Sequence, residues 1–589
     1  MTLIKPQYEH GVPMISWKIY EDDYFDRHLV HEAVEKWAKE KPKEIAFVSV
    51  NTGQEFSWKE FDDHSTALAL KLIDLGIMKG DFIATSLPFL PEHIFLEYAC
   101  FKIGAIHVPL DVRLKPTEVV RCLTLVKAKM YFHLGETDVA DFAAMTEIIR
   151  DNVDFVKYFV QFSKPDQLIE EFGEEKIISA WEFAKSAQDL FKKSQIAEMT
   201  ELTAKYNQYH SNVQETDGCQ VIYTTGSTGY PKPALLSHQG ITAQNLCMGW
   251  GFDMHYEDLI MLVNLPPSHV GGQAEQLITT FFFGGKAIVL DLFKPDLSLE
   301  AIQKYKVTAL GQIPALFNLE WRLPNYNTYN LSSLKFAIYG GQSVSRPFLE
   351  KLNLMSPKMG SGLGLTELSG MATYTPIDSS VDDIVEGIGY AMPITPITIR
   401  KKMEPDGTSG SELSKGEVGE ICFSGPQVFL GYVNDEENTR KTISTDGWCY
   451  TGDVGFYDDK GLHFVGRAKL MIKPKGFNVY PPEVESFLMD NLKEQVETVG
   501  LIGYPHEVFG EGIIAFVEKR KGKSITIEEV ETVSKGLAAY KRPSLIIILE
   551  YNDMPLNRSE KVDYVSLKNM ANQKIREIRA NGGWDQSRE

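Results

Sequence analysis

Basic charge is what this sequence most plainly lacks: 60 lysines and arginines stand against 80 aspartates and glutamates, a formal net charge of −20. A general nucleic-acid binder needs a basic face for phosphates, so no nucleic-acid partner is expected. A local basic site for one nucleotide remains open. Cysteine is sparse, 6 in 589 residues, with no C-x-x-C pair and no His/Cys cluster at zinc spacing. Incidental thiols in a reduced, cytoplasmic setting are the expectation. Residues 1–17 carry no apolar h-region, which argues against a secretory signal. Long apolar runs are missing too. The most apolar stretch, 277–293, is broken by Gly284, Gly285, Lys286 and Asp291. It reads as buried helix, turn and strand, so no integral membrane span is expected. No internal repeat is visible.

What is present is a soluble-protein balance, 43% hydrophobic and 24% charged residues. The length calls for about two to four folding units. Helical spacing over 29–39, 58–75 and 92–103 alternates with strand patterns at 45–50, 82–87 and 105–108. That alternation predicts a parallel α/β sheet. Residues 138–215 hold one strand pattern, 155–160, and a charged helical stretch, 180–206, and read as a surface elaboration. The α/β pattern resumes after 221 and runs to about 365, and from 416 the pattern turns β-rich. After about 467 a small α+β unit is predicted, with strands at 496–502, 513–517 and 545–549, helices at 482–491 and 527–537, and a polar tail from 577.

The sharpest local signal is Thr224-Thr225-Gly226-Ser227-Thr228-Gly229, followed by Lys232. An apolar strand leads in and a helical stretch follows His238. Glycines permit tight turns and close approach to an anion, hydroxyls donate hydrogen bonds, and the lysine adds charge. It is not a Walker loop, because no Gly-Lys-Ser/Thr follows.

This segment resembles the phosphate-binding signature of the adenylate-forming superfamily, which includes AMP-forming acyl-CoA synthetases, firefly-type luciferases and peptide-synthetase adenylation domains. Pro233 stands where that pattern usually has glycine. Further motifs follow in the same order. Asn264-Leu-Pro-Pro-Ser-His269 resembles the motif that gates the acyl pocket, with Gly271 and Gly272 beside it. Gly340-Gly341-Gln342 resembles the adenine-contacting turn. Gly364-Leu365-Thr366-Glu367 resembles the segment whose threonine meets phosphate and whose glutamate supports magnesium; Leu363 replaces the usual tyrosine. Asp453 resembles the ribose-binding aspartate, and Arg467 the arginine at ribose or phosphate. Lys469 falls at the hinge position, and Lys473 begins the loop implied in thioester formation. Lys561 closes a motif in which it would be the adenylation lysine, with Glu560 where glycine is usual.

The resemblance implies a large N-terminal AMP-binding α/β domain over 1–466, with parallel sheets and a distorted β-barrel part. A hinge at 467–470 and a small C-terminal α+β domain over 471–589 would follow. It implies an acid-thiol ligase, monomeric or homodimeric, using ATP, Mg2+ and coenzyme A. Lys561, Lys473, Thr366 and Glu367 would be catalytic, with Glu367 on the metal. No F-D-x-S motif of amino-acid-activating domains is apparent. A medium-chain, aromatic or alicyclic monocarboxylate is therefore the expected substrate. Three other readings stand beside this one: a ligase that loads an acyl carrier protein, a luciferase-like oxygenase, and a catalytically silent nucleotide-binding regulator.

Overall fold

The computed structural model describes residues 6–135, 137, 141–162, 176–195, 200–224, 231–255, 258–557, 561–580 and 583–585. Two parallel-rich sheets carry the large unit. One has eight strands: Gly431–Tyr432, Lys232–Ser237, Gly218–Thr224, Ile106–Pro109, Phe82–Ser86, Met130–Leu134, Tyr158–Phe162 and Lys176–Ser179, in that spatial order. The other has seven: Met359–Gly360, Phe336–Tyr339, Ala309–Gln312, Ile260–Val263, Lys286–Val289, Ile45–Ser49 and Glu55–Ser57. Strands covered on both faces read as unbroken apolar runs rather than alternations. Phe336–Tyr339 and Ile260–Val263 show this, with Ala337 and Leu262 in one apolar cluster and Ile338 and Val263 in another.

Local chemistry sets the helix ends. Trp58–Asp74 starts on a capping box, Ser57 accepting from the Glu60 N–H while the Glu60 carboxylate accepts from the Ser57 N–H. Pro91 opens Pro91–Ile103, and Gly104, at φ +69°, closes it.

Residues 138–215 are more than a surface elaboration. Tyr158–Phe162 and Lys176–Ser179 extend the eight-stranded sheet in parallel register. The single helical stretch over 180–206 is two helices, Ala180–Gln195 and Thr200–Ser211. Both pack on Trp58–Asp74, burying Phe183, Ala187 and Leu202.

The β-rich part is an open antiparallel sheet, Ile397–Arg400, Gly419–Phe423, Cys449–Asp458 and Gly461–Arg467, with small two-stranded ribbons nearby. Among the described residues no barrel closes, so the expected distorted barrel is realised as an open sheet.

The small unit is a three-stranded sheet, Val496–His506, Gly510–Lys519 and Leu545–Leu549. Its middle strand is buried on both faces. Ile513, Ala515 and Val517 pack with the helix Pro481–Asn491, while Ile514 and Phe516 pack with Tyr564–Ala580. The polar tail is pinned by Trp584, buried in the second cluster with its indole N–H on the Pro505 carbonyl. Arg322 of the large unit reaches this unit at Glu497 and at the Tyr551 hydroxyl. All six cysteines are buried and unbridged. No described helix is long and apolar enough to cross a membrane.

Candidate functional site

The site forms where strands of both sheets end. Ligands favour the carboxyl ends of parallel strands, where loops and helix starts present free backbone groups. Thr224 ends its strand directly opposite Lys232 in the antiparallel register. Thr225, Gly226, Ser227, Thr228 and Gly229 lie outside the described residues. Pro233 is accommodated within the strand, where its carbonyl accepts from the Val433 N–H.

Lys232 donates to the Asn438 side-chain oxygen at 2.7 Å and stands 4.9 Å from the Tyr432 ring centre. Burial, and then Lys469 nearby, hold its ammonium below the usual lysine range, with Asp435 and Glu367 opposing. The Tyr432 hydroxyl donates to Glu367 at 2.6 Å. Glu367 follows Thr366 in a short turn after Gly364–Leu365, which pairs with Gly370–Met371. Glu367 is therefore a hard oxygen donor beside the loop's lysine. Such a group suits Mg2+, which takes one or two carboxylates and completes its shell with phosphate and water.

The opposite wall is Gly340-Gly341-Gln342, after Phe336–Tyr339. Gly341 has φ +91°, a region that favours glycine, and Lys561 lies against it: its Nζ is 3.7 Å from where a Cβ would stand. Gln342 is exposed, and Gly340 meets the tip of Met371. The Lys561 ammonium is pulled down to about 8, first by burial and then by Arg467, with Asp453 opposing. Asp453 and Arg467 are register partners across Cys449–Asp458 and Gly461–Arg467, with Nε 3.0 Å from a carboxylate oxygen. Asp453 is 2% exposed. Burial raises its carboxyl, while Arg467 and then Lys561 counter the rise. An acceptor-only carboxylate in this position suits two hydroxyls of a ribose.

His269 joins the same group. Its imidazole is lowered to about 4, first by desolvation in the protein around it and then by Lys561, with Asp111 opposing. The Gly271 N–H donates to His269 Nδ1 at 3.0 Å, so the neutral ring carries its proton on Nε2. Gly272 is required sterically: a Cβ there would stand 2.4 Å from the Pro266 carbonyl oxygen. From Gly271 to Ile278 the helix takes the wide π turn, a form frequent at functional sites.

Lys473 is not brought to this group. It is exposed on the small unit, its N–H on Glu511 at 2.6 Å, and the next residues bridge to Gly510. Glu560, beside Lys561, lies outside the described residues. Tyr432 and Asn438 were missed in sequence because nothing marks them until the hairpin of Lys232 folds against them.

A second polar cluster, His93, Glu97 and His107, is fully buried elsewhere. His93 Nδ1 donates to the Pro88 carbonyl, which leaves Nε2 to accept from His107 at 3.2 Å. Burial pulls His93 to about 4 and lifts Glu97 to about 8, so these groups stay neutral together.

A family model described as AMP-binding enzyme matches residues 34–433. The chain belongs to the AMP-binding enzyme family. A second model, the AMP-binding enzyme C-terminal domain, matches 483–561 and ends on Lys561. Among similar relatives is the 4-coumarate–CoA ligase CCL1 of Humulus lupulus, 27% identical, covering 94% of this chain and 96% of that one. The medium-chain fatty-acid–CoA ligase of Escherichia coli (strain K12) is 28% identical over 90% of this chain and 88% of its own. The crystal structure of ATP-bound MatB from Rhodopseudomonas palustris shares the fold, with a TM-score of 0.73, 23% identity, and coverage of 92% and 99%. In this AMP-binding enzyme, then, the last residue matched by the second model is the lysine packed on Gly341 of the first.

Proposed function

We propose that this AMP-binding enzyme is an AMP-forming acyl-CoA synthetase, which joins a carboxylic acid to AMP and then transfers the acyl group to coenzyme A. The observation that carries the reading is Lys561, delivered from the C-terminal unit against Gly341 and within electrostatic reach of Asp453, Arg467 and His269.

A carboxylate is a poor acyl donor because oxide leaves badly. Its oxygen attacks the α-phosphorus of ATP, the bond to pyrophosphate breaks, and the carboxyl oxygen becomes part of AMP. Two anions must meet in that step, and a fixed cation between them stabilises the charge that develops. Lys561 fills this role. The loop 225–229 and Lys232 hold the phosphates, Asp453 takes the ribose hydroxyls, and Gly340 to Gln342 and Leu365 border the base. Glu367, with the Thr366 hydroxyl near by, would hold magnesium, which neutralises phosphate charge when bound.

The thiol of coenzyme A then gives up its proton and attacks the acyl carbon; the carbon–sulfur bond forms, the acyl carbon–oxygen bond breaks, and AMP leaves with that oxygen. Lys473 acts in this second step, entering after the small domain turns about a hinge at 467–470. Lys561 lies against Gly341 while Lys473 is exposed, which supports Lys561 as the lysine of the first step. The domains would divide at 1–466 and 471–589. The substrate is a medium-chain, aromatic or alicyclic monocarboxylate, in keeping with what the plant and bacterial relatives are named for.

Acid-dependent AMP production, measured with coenzyme A and with a phosphopantetheinyl carrier protein, tests the acceptor. Thioester formed on coenzyme A supports the reading. AMP release only with the carrier, or oxygen uptake in place of thioester, would refute it.

A further inference from the structure

The loop that begins at Lys473 rests on a turn that residues near the end of the chain hold in shape. Ile472 and Val479 exchange backbone hydrogen bonds of 2.8 Å, which close residues 473–478 into a tight loop. This loop lies along the tip of the hairpin that joins Val496–His506 to Gly510–Lys519. The Lys473 N–H donates to Glu511 at 2.6 Å, Pro474 bridges to Gly510, and the Lys475 N–H donates to the Phe509 carbonyl at 2.8 Å. The Lys475 ammonium stands 4.3 Å from the Phe509 ring centre. Lys475 has φ +53°, a conformation costly for a residue with a side chain, so the loop depends on these surroundings to keep it.

The turn is shaped in its own right by His506. Its Nδ1 accepts from the N–H groups of Val508 and Phe509 at 3.2 and 3.1 Å, and its ring stacks on Phe509 with centres 4.2 Å apart. Trp584 packs against that imidazole, centres 5.4 Å apart, and donates its indole N–H to the Pro505 carbonyl at 2.9 Å. The same carbonyl accepts from Arg579 at 2.8 Å. Asp585 accepts from the Glu507 N–H at 3.1 Å and pairs with Arg579 at 2.8 Å. Successive strand residues face opposite sides of a sheet, and here the two sides carry different loads. Ile472, at the base of the Lys473 loop, packs with Ile513 and Ala515 on one face. Trp584 packs with Ile514 and Phe516 on the other, where a Cβ on Gly512 would stand 2.7 Å from its ring. The hairpin tip is therefore held between the loop and the Trp584 segment.

We infer that Trp584 and Asp585 are positioning residues for thioester formation: they brace the turn at 505–509, the turn fixes the backbone of residues 473–475, and that backbone aims Lys473. The inference rests on the second-step role proposed above for Lys473 and adds what holds that lysine in place. Lys561 is served by a different part of the same sheet. Val562, next to it, lies 3.1 Å from where a Cβ on Gly500 would stand. Tyr504, whose ring meets Trp584, is four residues further along the strand, about 13 Å at the rise of a strand. Loosening the Trp584 segment thus reaches the Lys473 loop directly and the Lys561 segment only at a distance.

The test uses the full-length protein and measures the two half-reactions separately. Trp584→Ala should slow thioester formation from supplied acyl-AMP and coenzyme A by about tenfold or more, since a displacement of about 1 Å can cost 10²-fold. Acid-dependent ATP–pyrophosphate exchange without coenzyme A should stay within about twofold of wild type. Asp585→Ala should show the same split at about fivefold, and Asp585→Asn, which keeps an oxygen for the Glu507 N–H, should restore most of the rate. Hydrogen exchange at the Lys473 and Lys475 amides should quicken in both alanine variants. The double variant isolates the route. Added to Lys473→Ala, either alanine substitution should slow thioester formation by less than about twofold further, because its effect passes through Lys473. Should Trp584→Ala lose its wild-type melting temperature, the Asp585 variants decide the matter by the same measurements. Unchanged thioester formation, equal loss of both half-reactions, or full additivity with Lys473→Ala would overturn the inference. Thioester formation indifferent to Lys473→Ala alone would instead remove the second-step role on which it rests.

Discussion

Replacing Lys561 with alanine should separate the two half-reactions. The ammonium sits against Gly341, within electrostatic reach of Asp453 and Arg467. One positioned charge at a developing anion contributes about 10²- to 10³-fold, so adenylation should fall by roughly that factor. Thioester formation from supplied acyl-AMP and coenzyme A should stay within about threefold of wild type, because that step uses the other arrangement of the small domain. The pH profile gives an independent handle. Burial has already pulled Lys561 down to about 8. The reactive form is the protonated one, so kcat/KM for ATP should decline above that pH, about tenfold for each further unit. Arginine does not lose its proton in this range, so Lys561→Arg should remove the alkaline limb whatever its absolute rate. Stability supplies the folding control. A lysine whose folded pKa lies below its unfolded value costs stability at neutral pH, and that cost fades as pH rises from the folded toward the unfolded value. The ligand-free Lys561→Met protein should therefore melt no lower than wild type at pH 7. Equal loss of both half-reactions, or an unchanged alkaline limb in Lys561→Arg, would refute the assignment.

Other expectations follow from the same geometry. Lys473→Ala should leave acid-dependent ATP–pyrophosphate exchange within about threefold of wild type while slowing thioester formation by at least about tenfold, since the residue lies outside the cleft in the arrangement described. Asp453→Ala removes a buried carboxylate and unpairs Arg467, and hydrogen bonds to charged groups contribute about 1.5–3 kcal/mol each. The KM for ATP should rise about 10- to 100-fold, read from initial rates at saturating acid. Gly272→Ala places a methyl group 2.4 Å from the Pro266 carbonyl oxygen, backbone that cannot swing aside. A loss of about 1–3 kcal/mol is expected, visible as a lower melting temperature, and an unchanged melt would show that the turn yields.

Much of this was legible in the sequence because it rests on short-range rules. The helices 58–75 and 92–103 announced themselves by spacing, and they lie within one or two residues of Trp58–Asp74 and Pro91–Ile103. Leu545–Leu549 was legible as a buried run of leucine and isoleucine. Residues 138–215 were misjudged because the two added strands are short and the helices that follow them are rich in charged residues. Their share in the sheet is a matter of pairing partners far away in the chain. The site was legible as separate motifs. The convergence of Lys561, Asp453, Arg467 and His269 was not, because it is set by the docking of the small unit, through contacts such as Arg322 with Tyr551.

The central claim is that the acid is joined to AMP before any thiol takes part. Exchange of labelled pyrophosphate into ATP, run with a panel of carboxylic acids and no coenzyme A, tests it most directly. The account predicts acid-dependent exchange that is lost in Lys561→Ala and kept in Lys473→Ala. Exchange that begins only when coenzyme A is added, or that proceeds equally without any acid, would contradict it.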